Sequence, residues 1–396
     1  MSSPIDPTPV PDARPKLVML CNAQTPYRLA LHLRIAREIP AIQLVSAFTH
    51  EVSNSPWVIE SPPEIGPVFF GHGTSSDTGL RQSRAEWGKG GRVIEYLRSI
   101  RPSVVIVHGY NDVGRLRVLH YCQSAGIPAF IWGDSNVKSD QARGIKKLVK
   151  SAYIRHVLSK TVGTMVCGSL GKQFFVSYGA DPQRIYYVPY EPDYKAIQSL
   201  SESRVVAVAE RFGLAAGRRR IVYSGRLVGV KRVDLLVRAF VVLAGMRRDW
   251  DLVIAGDGEL KGELQALVPR EMEGRVKWLG FLSDQGDVSA VYRNSDVLCL
   301  ASEHEPWALV VNEAVAAGLA VVASDVVGAA AELVREGVNG KTFVSKDLDG
   351  LIGALRWVTD GENIDGCRAS SAGVLADWRK RGDPILGLKT ALQHLV

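Results

Sequence analysis

"DVLCLAS" (296–302), "EHEPWALVVNEAVAAG" (303–318) and "LAVVAS" (319–324) follow one another without a gap and read as strand, helix, strand. The two outer runs are continuously apolar, the pattern of strands buried on both faces in a parallel sheet covered by helices. In the middle run Pro306 suits a first helical turn and Gly318 a stop. Ser302 then closes a strand, Glu305 lies at the helix entrance and Glu313 roughly two turns in. A carboxylate in an apolar helix requires a donor, because unpaired burial costs several kcal/mol.

The same rhythm runs through the chain. Apolar strands are expected at "KLVML" (16–20), "IQLVSAF" (42–48), "VVIVHG" (104–109), "AFIW" (129–132), "TMVCGS" (164–169) and "RIYYVP" (184–189). A second series begins at "RIVYSG" (220–225) and continues through "DLVIAG" (251–256), "VKWLGF" (276–281) and "GKTFVS" (340–345). Helical stretches such as "RVIEYLRSI" (92–100) and "DLLVRAFVVLAG" (234–245) intervene. Two such series predict an α/β protein of two Rossmann-like domains facing a cleft. The boundary falls at the Pro-rich "PYEPDY" (189–194), giving domains over 16–195 and 196–379. The C-terminal helix, about 380–396, is expected to pack back on the first domain. Residues 1–15 hold five prolines and two aspartates and read as a disordered tail, not a signal peptide.

At 396 residues and 46% hydrophobic composition, the chain exceeds one ordinary core. Cys21, Cys122, Cys167, Cys299 and Cys367 follow no metal or redox spacing and read as reduced cytoplasmic thiols. No run is long enough to span a membrane. Residues 1–195 hold 23 Lys+Arg against 15 Asp+Glu, a net of +8, whereas the remainder holds 25 against 26. An anionic partner is therefore drawn more strongly to the first half. Nucleic acid is disfavoured, since stacking aromatics do not interleave with the basic residues.

Three loops of the second half carry chemistry. In "SGRLVGVKR" (224–232), Arg226 and Lys231 precede a helix beginning near Val233, a combination suited to a diphosphate. "AGDGEL" (255–260) is a tight turn without the third glycine of a dinucleotide fingerprint, which also disfavours an NAD-dependent dehydrogenase. The third loop is the opening stretch. In order, "GRL…K", "AGDG", "LGF" with a following "Y…SD", Glu-x7-Glu and "G…AELV…G" resemble retaining GT-B glycosyltransferases of family 4 over about residues 219–345. In the first half, only the strand–helix rhythm and "VSYGADPQRIYYVPY" (176–190) resemble that family.

The resemblance implies a hexosyltransferase-type enzyme taking a sugar from a UDP- or GDP-sugar to an acceptor hydroxyl. It implies that Arg226 and Lys231, beside Gly225, hold the diphosphate, that Glu313 binds the ribose, and that Glu305 contacts the donor sugar. Gly280 and Phe281 would border the base, and Pro306, Trp307, Ala308 and Leu309 would line the sugar pocket. The resemblance also implies retention of anomeric configuration, by a front-face attack in which the leaving phosphate takes the acceptor proton.

Two departures stand out. Ala308 occupies the usual glycine of "EPFG". The first loop, "CNAQTPYR" (21–28), lacks glycine, and no histidine follows "PAFIW" (128–132). Asp134 is the nearest candidate for that histidine's role. Asn22, Tyr27, Arg28 and His108 are candidates on the acceptor side. "DLD" (347–349) lies in a surface-like turn, so neither a metal nor another cofactor is expected. A sugar-nucleotide epimerase and a non-catalytic nucleotide-sugar-binding protein remain alternatives.

"RGIKKLVKSAYIRHVLSK" (143–160) has six Lys or Arg and no acid. Ile145, Leu148, Val149, Ala152 and Val157 can share one helical face. Such a helix can pack on the core with a solvated basic face, steer a phosphorylated acceptor, or dock on an anionic membrane at the inner leaflet. The acceptor is accordingly expected to be a glycan, a lipid-linked sugar or a small molecule.

Overall fold

The computed structural model describes residues 13–51, 61–62, 64–71 and 83–395. Residues 1–12 of the expected tail lie outside that range. The first sheet comprises β1 (Lys16–Cys21), β2 (Gln43–Phe48), β3 (Val68–Phe69), β4 (Val104–His108), β5 (Ala129–Gly133), β6 (Gly163–Val166) and β7 (Ile185–Tyr187). Its order is β3-β2-β1-β4-β5-β6-β7, with every pair parallel.

The second sheet comprises β8 (Arg219–Ser224), β9 (Trp250–Ala255), β10 (Val276–Gly280), β11 (Val297–Leu300), β12 (Ala320–Ser324) and β13 (Gly340–Phe343). Its order is β10-β9-β8-β11-β12-β13, again all parallel. The two Rossmann-like domains expected from the sequence are thus the observed architecture.

The apolar runs become strands because both faces of each sheet are covered. Along β1, Leu17, Met19 and Cys21 join one core, while Val18 and Leu20 join the core on the opposite face. Burying each such aliphatic side chain contributes about 1.5–3 kcal/mol. The core on the Leu17 side is continuous with that of the second domain through Val188, Tyr190 and Tyr194. The connector between the sheets is therefore packed rather than loose.

At the C-terminus, the 22-residue helix Gly361–Gly382 ends at Asp383, whose carboxylate caps the helix Pro384–Leu392 by accepting from Ile385 N at 2.8 Å. That last helix lies against the first sheet, where a Cβ on Gly387 would stand 1.8 Å from the Tyr187 carbonyl oxygen.

The opening stretch folds differently from its sequence reading at one point. The helix is Leu309–Ala316, so Pro306 lies outside it and Glu313 is about one turn in. Ala308 adopts φ 74°, ψ 78°, a left-handed conformation that interrupts any helix before Leu309. The carbonyls of Glu305 and Trp307 accept instead from Gly328 N at 3.2 Å and Ala329 N at 2.7 Å. Glu305 thus sits in a loop pinned to residues 327–329 and not at a helix entrance.

The basic segment also needs correction. It forms the helix Gly144–Leu158, but of its five expected face residues only Val157 is buried. Ile145, Leu148, Val149 and Ala152 are exposed, and Lys150 turns inward to pair with Asp140 at 2.8 Å.

Candidate active site

All strands within a sheet are parallel, so the loops after them emerge on one edge. In the second sheet the chain reverses direction between β8 and β11, and the loops after these two strands supply the second-domain charges. Gly225 follows β8 with φ 152°, and a Cβ on Gly256, after β9, would meet the Gly225 carbonyl oxygen at 1.9 Å. Only glycine allows those two loops to approach so closely. Arg226 follows, exposed at the rim of a cavity of about 280 Å³. Lys231 closes a short 3-10 turn, Gly229–Lys231. Arg232 then takes φ 50° and starts the helix Val233–Met246.

The cavity lies between the domains. From the second domain it is lined by Ser224, Gly225, Arg226, Asp257, Phe281, Gln285, Leu309 and Glu313. Pro26, Tyr27, Pro192 and Asp193 close it from the first domain and the connector.

Glu313 is buried at its wall. Its Oε2 accepts from Tyr292 OH at 2.9 Å and its Oε1 from Gln285 Nε2 at 2.9 Å. The donors required by a buried carboxylate are therefore side chains of the helix Gln285–Arg293. Burial raises the Glu313 pKa, while those two hydrogen bonds oppose the rise.

Glu305 and Lys231, expected to serve different parts of a ligand, are paired directly through Oε2 and Nζ. Ser302 Oγ also reaches Glu305 Oε2 at 3.4 Å, and Ser139 Oγ accepts from Glu305 N at 3.3 Å. Ser139 belongs to the first domain, so Glu305 lies at the domain junction. Asn136 Nδ2 strengthens that junction by donating to Val326 O at 2.8 Å, and Lys138 pairs with Asp325 at 2.9 Å.

In the first sheet the reversal falls between β1 and β4, and the acceptor-side candidates gather at that edge and at the end of β5. Burial raises the Asp134 pKa, the Arg28 charge lowers it, and the Glu305 charge raises it further. Arg28 is buried and donates to Ala23 O at 2.7 Å. His108 Nε2 is hydrogen-bonded to Tyr190 OH, and its ring packs in a T-shaped contact with Trp132. Burial, then the Arg28 and Arg115 charges, hold His108 well below its usual pKa, leaving a neutral imidazole at neutral pH. Asn22 Oδ1 accepts from buried Arg115, which also pairs with Asp112.

Several sequence candidates lie away from the cavity wall. Trp307 turns into the domain junction, where its indole N–H donates to Tyr190 O at 3.1 Å beside Trp378. Pro306, Ala308 and Gly280 do not line the cavity either, although Gly280 ends β10 directly before Phe281.

Sequence reasoning assigned no role to Tyr292, Gln285, Tyr190, Arg115, Asn136 or Ser139. Tyr292 was present as the tyrosine of "Y…SD"; the loop residues Asn136 and Ser139 carry no sequence signal. Among the described residues, no group of three or more His, Cys, Asp or Glu is placed to hold a metal ion, and no helix is long and apolar enough to cross a membrane. All five cysteines are buried and unpaired.

Residues 208–368 match the family model described as Glycosyl transferases group 1. An uncharacterised glycosyltransferase of Methanocaldococcus jannaschii is 32% identical over 182 residues, covering 46% of this chain and 42% of that protein. A D-inositol 3-phosphate glycosyltransferase of Nocardia farcinica is 31% identical over 227 residues, covering 54% of this chain and 49% of that protein. The chain thus spans less than half the length of these relatives.

HepE of Anabaena, solved in complex with UDP and glucose, aligns with a TM-score of 0.69 over 96% of this chain and 99% of that one, at 17% identity. The likeness extends over both domains and identifies the fold as GT-B. The family match falls within the second domain, and the structural likeness over both domains shows the fold.

Proposed function

We propose that the protein moves a sugar from a nucleoside-diphosphate sugar to an acceptor hydroxyl, with retention of anomeric configuration. The observation that carries this reading is the cavity itself. A buried carboxylate, Glu313, stands at one wall and Arg226 at the rim, while Lys231 is held nearby by Glu305. Glu313 suits vicinal ribose hydroxyls, because an ionised carboxylate accepts several hydrogen bonds. Arg226, Lys231 and the start of the helix Val233–Met246 suit a diphosphate. The relatives' names favour sugar transfer, UDP in the HepE complex favours a nucleotide sugar, and we take a UDP- or GDP-hexose as the donor.

In this mechanism the bond between the anomeric carbon and the diphosphate oxygen breaks, and its electron pair leaves with the phosphate. Arg226 and Lys231 stabilise the growing charge. The acceptor oxygen bonds to the anomeric carbon on the same face, and its proton passes to the departing phosphate oxygen. Glu305 orients the sugar hydroxyls, and Asp134 and Arg28 position the acceptor from the opposite domain. Residues 16–195 are then the acceptor domain and 196–379 the donor domain, and no metal ion takes part.

The test is a panel of UDP- and GDP-sugars assayed for nucleoside diphosphate release, with and without candidate acceptors. Donor binding without any release would leave a non-catalytic binding protein instead. Interconversion of the donor's own sugar, without acceptor, would make it an epimerase.

A further inference from the structure

The helix Gly144–Leu158 is anchored from Lys150 onward, by the Lys150–Asp140 pair and by its second half. Ile154 and Val157 are buried, whereas residues 143–149 are all exposed. Within that exposed part, Ile145 is 79% exposed, Leu148 71% and Val149 66%. Large aliphatic side chains so open to water in adjacent positions have an energetic cost that a folded surface normally avoids.

Their spacing places them on one stripe, continued by exposed Ala152 one turn on. At about 100° per residue, that stripe lies opposite the direction of Ile154 and Val157. It therefore points away from the body of the domain and has no route into the core. By the same angular step exposed Lys146 lies to one side of the stripe and exposed Lys147 across the helix from it, with exposed Arg143 at the N-cap, and no Asp or Glu occurs from 141 to 180.

The placement is specific. The helix follows β5 after the loop carrying Asp134, Asn136 and Ser139, so its first turns stand on the carboxyl edge of the sheet, beside the cleft. The helix Ser83–Ile100 begins on the same edge. Near its start Trp87, 55% exposed, has the Arg117 guanidinium 4.5 Å above its ring. An aromatic with a cation at its face suits the boundary between water and hydrocarbon.

We propose that this rim is a membrane-docking surface, in which Ile145, Leu148 and Val149 insert at the headgroup boundary of an anionic bilayer while Arg143, Lys146 and Lys147 contact its phosphates. The charge decides the occupant. Apolar side chains alone would fit any hydrophobic partner, but an apolar stripe on a helix whose other side carries cations matches an anionic lipid surface. A nucleic acid would use the cations and leave the aliphatic tips in water. Docked in this way, the cleft faces the bilayer and can receive an acceptor carried on a lipid. That consequence rests on the proposed transfer activity, whereas the docking itself does not.

The test is co-sedimentation of the full chain, without sugar donor, with vesicles of phosphatidylcholine alone or with roughly one-third phosphatidylglycerol, at low and high salt. Binding is expected only to the anionic vesicles and is expected to weaken with salt. Lys146→Glu with Lys147→Glu should lower the partition coefficient by at least about 30-fold, at about fivefold per cation. Ile145→Ser, Leu148→Ser and Val149→Ser together should abolish binding with every charge retained. Both variants should melt at the wild-type temperature, because none of these residues is buried.

Absence of binding at low salt would overturn the proposal, as would equal binding to neutral vesicles. Wild-type vesicle binding by the triple serine variant, with soluble heparin competing, would point to an acidic macromolecule instead. Because no donor is present, failure here leaves the transfer reading standing, and failure of transfer leaves the docking result standing.

Discussion

Tyr292 donates its phenolic hydrogen to Glu313 Oε2 at 2.9 Å, inside the second domain and behind the cavity wall. The tyrosine fixes the carboxylate's direction and supports its charge. Removing the hydroxyl leaves the same burial with one donor fewer, so the Glu313 pKa should rise further. In Tyr292→Phe, affinity for UDP or GDP should fall off at higher pH than in the wild type as acid protonates Glu313. Calorimetric titrations from about pH 5 to pH 8 measure this, and unchanged pH profiles would rule out ribose recognition by an ionised Glu313.

Glu313 also has a cost in stability. Its folded pKa lies above the usual 4.5, so between those two values the folded chain binds more protons than the unfolded one. Stability therefore falls as pH rises through that window, and the cost is fully present above the folded pKa. Glu313→Gln should flatten this part of the stability–pH curve while weakening free nucleotide. Urea denaturation at several pH values reads the first effect and nucleotide titration the second. A Gln variant with the wild-type slope would mean that another group sets it.

Glu305 should separate from Glu313 in phenotype. Glu305→Ala should retain free nucleoside diphosphate and lose turnover with the sugar-bearing donor, since its place is at the junction beside Ser139. Glu313→Ala should weaken both ligands. If Glu305→Ala abolishes nucleotide binding and Glu313→Ala does not, the two roles are exchanged.

Arg226→Ala and Lys231→Ala should each reduce kcat roughly 100-fold or more, the scale for loss of one preorganised charge-stabilising group. The melting temperature should change little in Arg226→Ala, whose side chain is exposed, and should fall in Lys231→Ala, which leaves Glu305 without its ion-pair partner. Turnover near wild type at saturating donor would exclude a role on the leaving group.

Ala308 holds φ 74° where an alanine is strained. Ala308→Gly should stabilise the protein by about 0.5–1 kcal/mol, because relief of left-handed strain outweighs the added freedom of the unfolded chain. Equilibrium unfolding in urea measures it. A destabilised glycine variant would show that packing of the Ala308 methyl outweighs its backbone strain.

Much of the fold was written locally. Continuous runs such as Val104–Val107 specify strands buried on both faces, and two series of them separated by helices specify two parallel sheets. The ordered residues Arg226, Lys231, Glu305 and Glu313 were legible because each follows a strand, where a parallel sheet puts its loops on one edge. Tertiary contacts decided what those residues face.

The left-handed turn at Ala308 and the bonding of Glu305 and Trp307 carbonyls to residues 328–329 depend on a chain segment some twenty residues away, so a local helix rule placed Glu305 wrongly. The donors to Glu313 come from a separate helix, and the Lys231 partner comes from the loop after a different strand. The outward stripe at Ile145, Leu148 and Val149 has the same period as a core-facing stripe. Periodicity records which residues share a face, whereas only the position of the rest of the chain decides whether that face meets protein or solvent.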